Sequence, residues 1–219
     1  MDTAVPIDVE HWPRREAFEH YFSRVPCSYA ITVEVDVTEF VAATRAYRKR
    51  AYAAQIWAIS DAVQRHDPFR MTAMTSGAPA IWERTHPMFT VLNPERETFS
   101  AVWTPYSSDF TEFHDRASEL IDRASRATQM FPQHDTPPNT FDISSLPWAR
   151  FTSFALSIPK STQHLAPIFT LGRYAERDER VLLPLALQVH HAAADGLHSG
   201  RLLADISERF AQPDWLHGT

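Results

Sequence analysis

The chain has 219 residues, of which 44% are hydrophobic and 12% aromatic, and this excludes disordered and collagen-like proteins. It carries 21 basic and 27 acidic side chains, a formal charge of −6. Nucleic acid and anionic membranes are therefore poor partners, although a local basic patch for an anionic small molecule is compatible with this total. The single cysteine, Cys27, excludes an internal disulfide framework and fits a reducing cytosol.

The N-terminal residues MDTAVPIDVEHW contain neither the basic start nor the apolar stretch of a secretory signal. The longest apolar runs, such as the one from Val181 to Val189, are far shorter than the ~20 residues that span a bilayer. We find no internal repeat, low-complexity tract or flexible linker. We therefore expect a soluble, cytoplasmic protein with a single domain over residues 1–219.

Hydrophobic periodicity predicts the elements of the first half of the chain, where apolar side chains either alternate or recur every three to four residues. In chain order the pattern predicts a helix over 13–23, a strand over 27–37, a helix over 38–66 broken or kinked near Arg50, and short strands over 70–74, 80–84, 88–92 and 98–103. Pro68 follows the second helix and is a typical helix end.

The second half predicts a helix over 108–127, an extended stretch over 140–158, a long hairpin of strands 168–174 and 181–189, and a closing helix over 195–210. The strand over 181–189 is almost entirely apolar, which is typical of a strand deep in a sheet. Helices bracket many strands in mixed order. This order predicts an α/β fold in which helices cover one side of a mixed β-sheet.

The most informative stretch for chemistry is QVHHAAADG, residues 188–196, where an apolar strand ends in two histidines and an Asp-Gly precedes a helix. Alternation along the strand predicts that His190 and His191 lie on opposite faces. A purely structural interpretation is open, because Asp195 is a good N-cap and strand-end histidines are often only half-buried. A metal site from His191, Asp195 and His198 is conceivable, but further ligands are not evident and we expect no metal.

The HHxxxDG motif after an apolar strand resembles the coenzyme A-dependent acyltransferases, which include chloramphenicol acetyltransferase, the E2 components of 2-oxo-acid dehydrogenases and condensation domains. Seven blocks, the last of which contains this motif, resemble type A chloramphenicol acetyltransferases in order and spacing: WPRREAFEHYFSRVPC, FRMTAM, ETFSAVWTPYSSDF, MFPQ, ISSLPWARFTSF, LAPIFTLGRY and LLPLALQVHHAAADG. The resemblance covers essentially the whole chain. It implies the two-layer α/β sandwich of that superfamily.

The resemblance implies three residues for the chemistry. His191 is the implied general base, a role that a neutral imidazole suits near neutral pH. Ser144 is the implied hydroxyl donor to the oxyanion of the tetrahedral intermediate, whereas Ser145 beside it should point to the other side of the strand. Thr170 aligns with a family threonine that contributes to the transition state through a bound water, and His190 is a structural neighbour.

Asp195 looks like the acid of a catalytic triad, but the resemblance implies a different role. In the family this aspartate pairs with an arginine that matches Arg14 in WPRRE. The pair would hold the loop that carries His191 against the first helix. If it is buried, removing either partner strands a charge, at a typical cost of ~3–5 kcal/mol.

The resemblance implies an aromatic, moderately apolar acceptor, and the implied pocket positions are largely apolar or aromatic, as such a pocket requires. They are Tyr21, Val25, Cys27, Thr90, Phe99, Phe131, Phe154, Leu156 and Ile168. Trp148 and Tyr174 match positions near the coenzyme A tunnel of the family, and Arg173 is a plausible charge there. The chain departs from better-known members at Ala53, Ala193, Ala194 and Leu197, which leaves the fine shape of the pocket open.

These implications together predict a chloramphenicol O-acetyltransferase, a resistance enzyme that uses acetyl-CoA as co-substrate, has no permanent cofactor and acts on the 3-hydroxyl in a ternary complex. The resemblance also implies a homotrimer with its sites at subunit interfaces. Two alternatives stay open. One is the same mechanism with another acceptor such as a dihydrolipoyl group, although the Pro/Ala linkers of E2 enzymes are missing; the other is a non-catalytic binding module that has kept the fold.

Overall fold

The computed structural model describes residues 2–157 and 164–217. Five α-helices occur in the described residues: α1 (Arg15–Glu19), α2 (Thr38–Ala46), α3 (Ala51–Gln64), α4 (Phe110–Ala124) and α5 (Gly196–Ala211). The strands are β1 (Ala4–Pro6), β2 (Ser28–Asp36), β3 (Met71–Ala73), β4 (Pro79–Trp82), β5 (His86–Asn93), β6 (Thr98–Trp103), β7 (Thr140–Ser145), β8 (Ile168–Leu171), β9 (Ala175–Arg177) and β10 (Arg180–His190).

Seven of these strands form one mixed sheet with the order β2-β10-β8-β7-β5-β6, and β9 pairs with one end of β10. The β7–β8 and β5–β7 pairs are parallel, whereas β10 is antiparallel to both β2 and β8. Strands β1, β4 and β3 form a separate small sheet. The mixed α/β architecture predicted from the sequence is thus confirmed.

The two faces of the large sheet are covered differently. On β10, the side chains of Leu183, Leu185, Leu187 and Val189 enter the main core together with residues of α2 to α5. The opposite face carries Ala186, Gln188 and His190, and it is covered by the irregular segment 146–157. Leu156 N of that segment donates to Gln188 Oε1 at 2.7 Å. The core therefore lies on the helical side, and the other side is closed by a loop.

A close approach fixes this segment at one point. A Cβ added to Gly172 would lie 3.0 Å from side-chain atoms of both Phe151 and Pro184, so any larger residue would require these neighbours to shift. Regular pairing of β8 ends just before this glycine, at Leu171. The chain then pairs with β10 again through β9, whose hairpin turn has positive φ at Asp178 and Glu179.

Most predicted elements are present, and the differences have local causes. The helix over 38–66 is interrupted between α2 and α3, where Arg48 has a φ of 53° and Arg50 is extended. The helix predicted over 13–23 begins as α1 at Arg15, and residues 20–24 continue it as a π-helical turn, a change of helix type that the pattern does not predict. The extended stretch over 140–158 is a strand only as far as Ser145, since Pro147 follows, and Ile158 lies outside the described residues.

Three buried histidines accept backbone hydrogen bonds on a ring nitrogen. His86 accepts from Tyr106, His114 from Arg50 and His190 from Ala192, at distances of 2.9–3.1 Å. Burial lowers the pKa of each of these imidazoles below the ordinary 6.5, since the charged form loses its hydration. A proton on the accepting nitrogen would also break the hydrogen bond. The fold therefore requires neutral histidines at all three positions.

Stability should accordingly fall in mild acid. Because the folded pKa values lie below those of the unfolded chain, this contribution is fully present above about pH 6.5 and is lost as the pH drops below it. We expect the melting temperature to decrease between pH 7 and pH 5.5. His114→Gln, whose amide can still accept from Arg50, should flatten the decrease, whereas His11→Gln at an exposed position should not. A melting temperature that stays constant or rises over this range contradicts the argument.

Candidate active site

The turn after β10 carries His191 and is held by Arg14. Nη1 of Arg14 donates to the carbonyls of Ala192 at 3.0 Å and Ala193 at 2.6 Å, and Nη2 lies 3.4 Å from the carbonyl of His191. On its other side, the backbone N–H of His191 donates to the carbonyl of Cys27 at 2.9 Å. One guanidinium therefore satisfies three successive carbonyls between a strand and a helix, which fixes the path of the turn.

Two tyrosines enclose the imidazole of His191. The ring of Tyr21 stacks on it with centroids 3.9 Å apart and an interplanar angle of 3°. The ring of Tyr29 meets it edge-on, at 5.2 Å and 69°. Tyr21 belongs to the π-helical turn 20–24, so the irregularity that the sequence pattern did not predict is also what carries one wall of the enclosure.

The carboxylate of Asp195 is directed to helix α5 rather than to His191. Its Oδ1 lies 2.7 Å from Nδ1 of His198 and accepts from the backbone N–H of Leu197 at 3.2 Å. The backbone N–H of Asp195 donates to Nδ1 of His198 at 3.4 Å, so the two residues form an N-terminal capping box. Among the described residues, the buried Nδ1 of His191 has no hydrogen-bond partner. Hydrogen bonds with His198 and the charge of Arg14 hold the pKa of Asp195 below its usual value, although burial opposes them. The sequence motif indicates His198 only as a conceivable metal ligand. Its position three residues after the N-cap residue Asp195 is the sequence signal for the capping box.

The ion pair between Arg14 and Asp195 is present but long, with 3.7 Å between Nε and Oδ2. Arg14 is 15% exposed and Asp195 is 40% exposed. The pair is therefore not the fully buried one for which a cost of ~3–5 kcal/mol applies. Burial lowers the pKa of Arg14, and the nearby carboxylate partly offsets this effect.

Ser144 and Thr170 lie side by side on the loop-covered face of the sheet. They are registered partners on the parallel strands β7 and β8, and their hydroxyl oxygens are 3.2 Å apart. Ser145 is registered with Leu171, which belongs to the main core, and so points to the opposite face. The expected difference in direction between the two serines is confirmed.

A cavity of about 490 Å³ opens at the Ser145 side. Trp148, Arg173 and Tyr174, the three residues expected near coenzyme A, all line it. Its other lining residues come mainly from α3, β5 and the loop after β7: Ala51, Tyr52, Gln55, Thr90, Val91, Leu92, Ser145, Pro147, Leu171 and Gly172. Gln55 Nε2 donates to the Tyr174 hydroxyl at 2.8 Å, and burial raises the pKa of Tyr174 to about 12. The cavity is thus apolar with a few fixed polar groups.

A basic segment adjoins this cavity. The residues Arg45, Arg48 and Lys49 line a second pocket of about 410 Å³ that shares Ala51 and Tyr174 with the first. This segment was not among the residues expected to bind coenzyme A, although four basic side chains in the six positions 45–50 are plain in the sequence. It supplies the local positive charge that an anionic ligand requires within a net-acidic chain.

The positions expected to form the acceptor pocket fall into groups. Tyr21 and Cys27 contact His191, and Val25 follows the π-helical turn that carries Tyr21. Phe154 and Leu156 belong to the loop over the sheet, where Phe154 N donates to Thr32 Oγ1, and Ile168 opens β8. Thr90 lines the large cavity and accepts from the Tyr52 hydroxyl through its carbonyl. Phe99 and Phe131 are exposed, as are Val25, Leu156 and Trp148, with up to 62% of the residue accessible.

Within one chain His191 and Ser144 are far apart. Ser144 is registered with Thr170, and Thr170 with Ala186. His190 follows Ala186 by four residues on β10, which is ~13 Å at ~3.3 Å per residue, and Ser144 lies two strand spacings, ~10 Å, to the side. His191 lies beyond His190. A hydrogen-bond network of ~3 Å steps around one reacting group therefore cannot include both residues from the same chain.

Two further searches concern the described residues only. Residues 2–157 and 164–217 contain no group of three or more His, Cys, Asp or Glu that could hold a metal ion. Across the same residues, the helices are too short or too polar to cross a bilayer.

Comparisons with known proteins give a consistent result. A profile of the family described as chloramphenicol acetyltransferase matches residues 3–207. The chain is 57% identical over 216 residues to a chloramphenicol acetyltransferase of Streptomyces acrimycini, covering 99% of this chain and 98% of that protein. A solved chloramphenicol acetyltransferase superposes with a TM-score of 0.87 at 21% identity, covering 96% of this chain and 100% of the other. The dihydrolipoamide acetyltransferase of Azotobacter vinelandii has the same fold, with a TM-score of 0.69, 18% identity and coverage of 92% and 88%.

The geometry at Arg14 predicts unequal effects for the two partners of the ion pair. Arg14→Ala removes three carbonyl hydrogen bonds, whereas Asp195→Asn keeps an N-cap side chain. We expect Arg14→Ala to lower the melting temperature more. In the double mutant, the loss in free energy of unfolding should be smaller than the sum of the two single losses by about 0.5–1 kcal/mol. This coupling is small because the pair is long and partly exposed.

The measurement is a double-mutant cycle in melting temperature and in kcat/KM. Strict additivity in both quantities would mean that the two side chains do not interact. A loss of several orders of magnitude in rate for Asp195→Asn, with the fold intact, would instead indicate a direct catalytic role for the acid.

Proposed function

The chain belongs to the chloramphenicol acetyltransferase family, and we propose that it transfers the acetyl group of acetyl-CoA to the 3-hydroxyl of chloramphenicol, thereby inactivating the antibiotic. The single observation that carries this proposal is the 57% identity over nearly the full length of both chains. The fold alone does not select the acceptor, because dihydrolipoamide acetyltransferase shares it.

His191 is the proposed general base. Its imidazole takes the proton of the acceptor hydroxyl while the oxygen attacks the thioester carbonyl carbon. The tetrahedral intermediate then collapses, the C–S bond breaks, and the imidazolium returns the proton to the coenzyme A thiolate. No acetyl-enzyme forms if both substrates are bound together. The enclosure of the ring by Tyr21 and Tyr29 supports this role, since a base must be held in one orientation to act.

Ser144 is the proposed donor to the oxyanion of the intermediate. Thr170 is its registered neighbour on the adjacent strand, on the same face of the sheet. The 3.2 Å separation of their hydroxyl oxygens supports a pre-arranged pair of hydroxyls. Neither requires a covalent role. Cys27 contributes its carbonyl to the His191 turn and is proposed as pocket lining, not as a nucleophile.

Acetyl-CoA is proposed to enter through the cavity at Trp148, Arg173 and Tyr174. The apolar walls suit the pantetheine arm, and the basic segment 45–50 with Arg173 suits the phosphates of the nucleotide end. Chloramphenicol then approaches from the loop-covered face of the sheet. Ser145 points to the cavity proposed for acetyl-CoA, and Ser144 points to the face proposed for chloramphenicol. These opposite directions support entry of the two substrates from opposite sides of the sheet.

The active enzyme is proposed to be a homotrimer whose sites lie between subunits. The separation of His191 from Ser144 within one chain supports this arrangement, because a neighbouring copy can supply the missing partner. The exposed apolar side chains at the expected pocket positions support it as well. Groups such as Phe131, of which 55% is accessible, need cover from a substrate or a second subunit.

The acceptor is tested by thiol release from acetyl-CoA, measured alone, with chloramphenicol and with dihydrolipoamide. We expect release that depends on chloramphenicol. Release with dihydrolipoamide only would favour the E2-type alternative, and the lack of release with either acceptor would favour a non-catalytic binding module.

A mixing experiment tests the proposed residues and the shared site together. His191→Ala should lose ~10²–10⁴-fold and Ser144→Ala ~10²–10³-fold in kcat. Unfolding the two variants together and refolding them should restore activity, because some interfaces then join an intact His191 to an intact Ser144. Random assembly predicts recovery to about a quarter of the wild-type rate.

Each variant refolded alone is the control and should stay inactive. Ser145→Ala is a matched control for the serine, with any loss appearing in the KM for acetyl-CoA rather than in kcat. Mixed variants that remain inactive after assembly contradict a site shared between subunits.

A further inference from the structure

The hydroxyl of Tyr29 joins the enclosure of His191 to the first turn of α5. Tyr29 lies on β2, where it is registered with Val189 of β10. Its hydroxyl oxygen is 2.8 Å from Oγ of Ser199, a fully buried residue whose own N–H donates to the carbonyl of Asp195. One hydroxyl donates to the other. Burial raises the pKa of Tyr29, so this group stays neutral over the working range of the enzyme.

The orientation of the His191 ring has no carboxylate to define it. In many acyl-transfer enzymes an acid hydrogen-bonded to Nδ1 holds the imidazole. Here Asp195 is bound to His198, and Nδ1 of His191 has no hydrogen-bond partner among the residues that the structure describes. The packing of the two tyrosine rings is therefore what restricts rotation of the imidazole.

The two walls are held by different means. Tyr21 is part of the π-helical turn and is fixed by backbone hydrogen bonds such as Val25 N to His20 O at 2.8 Å. Tyr29 lies on an edge strand of the sheet, and its ring has the hydroxyl contact with Ser199 as its polar anchor. Without the hydrogen bond to Ser199, packing around the ring of Tyr29 still keeps the ring at its position, but the ring can tilt.

We propose that Tyr29 is a positioning residue for His191, acting through the hydrogen bond between its hydroxyl and Ser199. The inference rests on the proposed function of His191 as the base. The hydrogen bond keeps the edge of Tyr29 against the imidazole and couples it to the helix turn that carries the Asp195–His198 box. Its contribution is to the orientation of the base, not to the binding of either substrate.

The first test is Tyr29→Phe, which keeps the ring and removes only the hydroxyl. We expect kcat to fall about 10-fold, with both KM values changed less than about twofold, because orientation of the base matters mainly in the transition state. Ser199→Ala should give a similar loss. The double variant should be no worse than the worse single variant, since both changes delete one hydrogen bond.

Tyr106→Phe is the matched control. It also removes a tyrosine hydroxyl bond, at 2.7 Å to Asp61, but at a site remote from His191. It should lower the melting temperature and leave kcat unchanged. If Tyr29→Phe behaves in the same way, or if the losses of Tyr29→Phe and Ser199→Ala multiply, the positioning role is wrong.

A second readout does not depend on catalysis. Diethyl pyrocarbonate modifies accessible imidazole nitrogens, and the extent of reaction at His191 is measured by mass spectrometry. Because the ring at position 29 is no longer anchored against the imidazole, His191 should react faster in Tyr29→Phe than in the wild type or in Tyr106→Phe. An unchanged rate at His191 overturns the inference. Lack of chloramphenicol-dependent thiol release by the wild type would overturn the proposed function instead, and the modification rate would still report on the ring.

Discussion

The antiparallel pairing of β10 with both β2 and β8 is the constraint on which the two halves of the candidate site depend. This register aligns Ala186 with Thr170 and so determines the row of the sheet that carries Ser144. It also aligns His190 with Ser28, and so determines that His191 is the residue that leaves the sheet into the turn. Because side chains alternate, a slip of one residue would move the apolar side chains of β10 out of the core. Packing of that core thus specifies which histidine leaves the sheet, and this histidine is the proposed base.

The turn that follows β10 requires a cation, and this requirement explains the arrangement of charges around it. A strand that passes into a helix within five residues leaves successive carbonyls without strand or helix partners. The guanidinium of Arg14 satisfies three of them, at the cost of its own desolvation. The partly exposed carboxylate of Asp195 offsets some of that cost and begins α5. The most conspicuous acid of the motif therefore acts on the backbone around His191.

The sequence predicted those features that depend on local patterns, and it missed those that depend on distant contacts. Alternation and helical spacing were sufficient for β2, β10, α4 and α5, and for the opposite directions of Ser144 and Ser145. The π-helical turn at Tyr21 was missed because its apolar spacing is the same as that of an α-helix, and only its backbone hydrogen bonds, such as Val25 N to His20 O, distinguish it. Strand β1 was missed because three residues carry no periodic signal. The expected pocket residues came from resemblance alone, since in one chain they lie in separate elements and four of the nine are exposed.

Exposure of these residues bears on how one fold serves different acceptors. The sheet, the turn after β10 and helix α5 are tied together by the core and by backbone hydrogen bonds, so substitutions there disturb the base and its support. Side chains such as Phe99, Phe131 and Leu156 pack little within their own chain. A change in their size or polarity leaves no cavity or strain in the core of the single chain, so its effect falls on the proposed pocket and subunit interface. If these side chains line the acceptor pocket as proposed, acceptor preference can vary at these positions while the turn that carries His191 is unchanged. Similarity of fold alone therefore does not identify the acceptor.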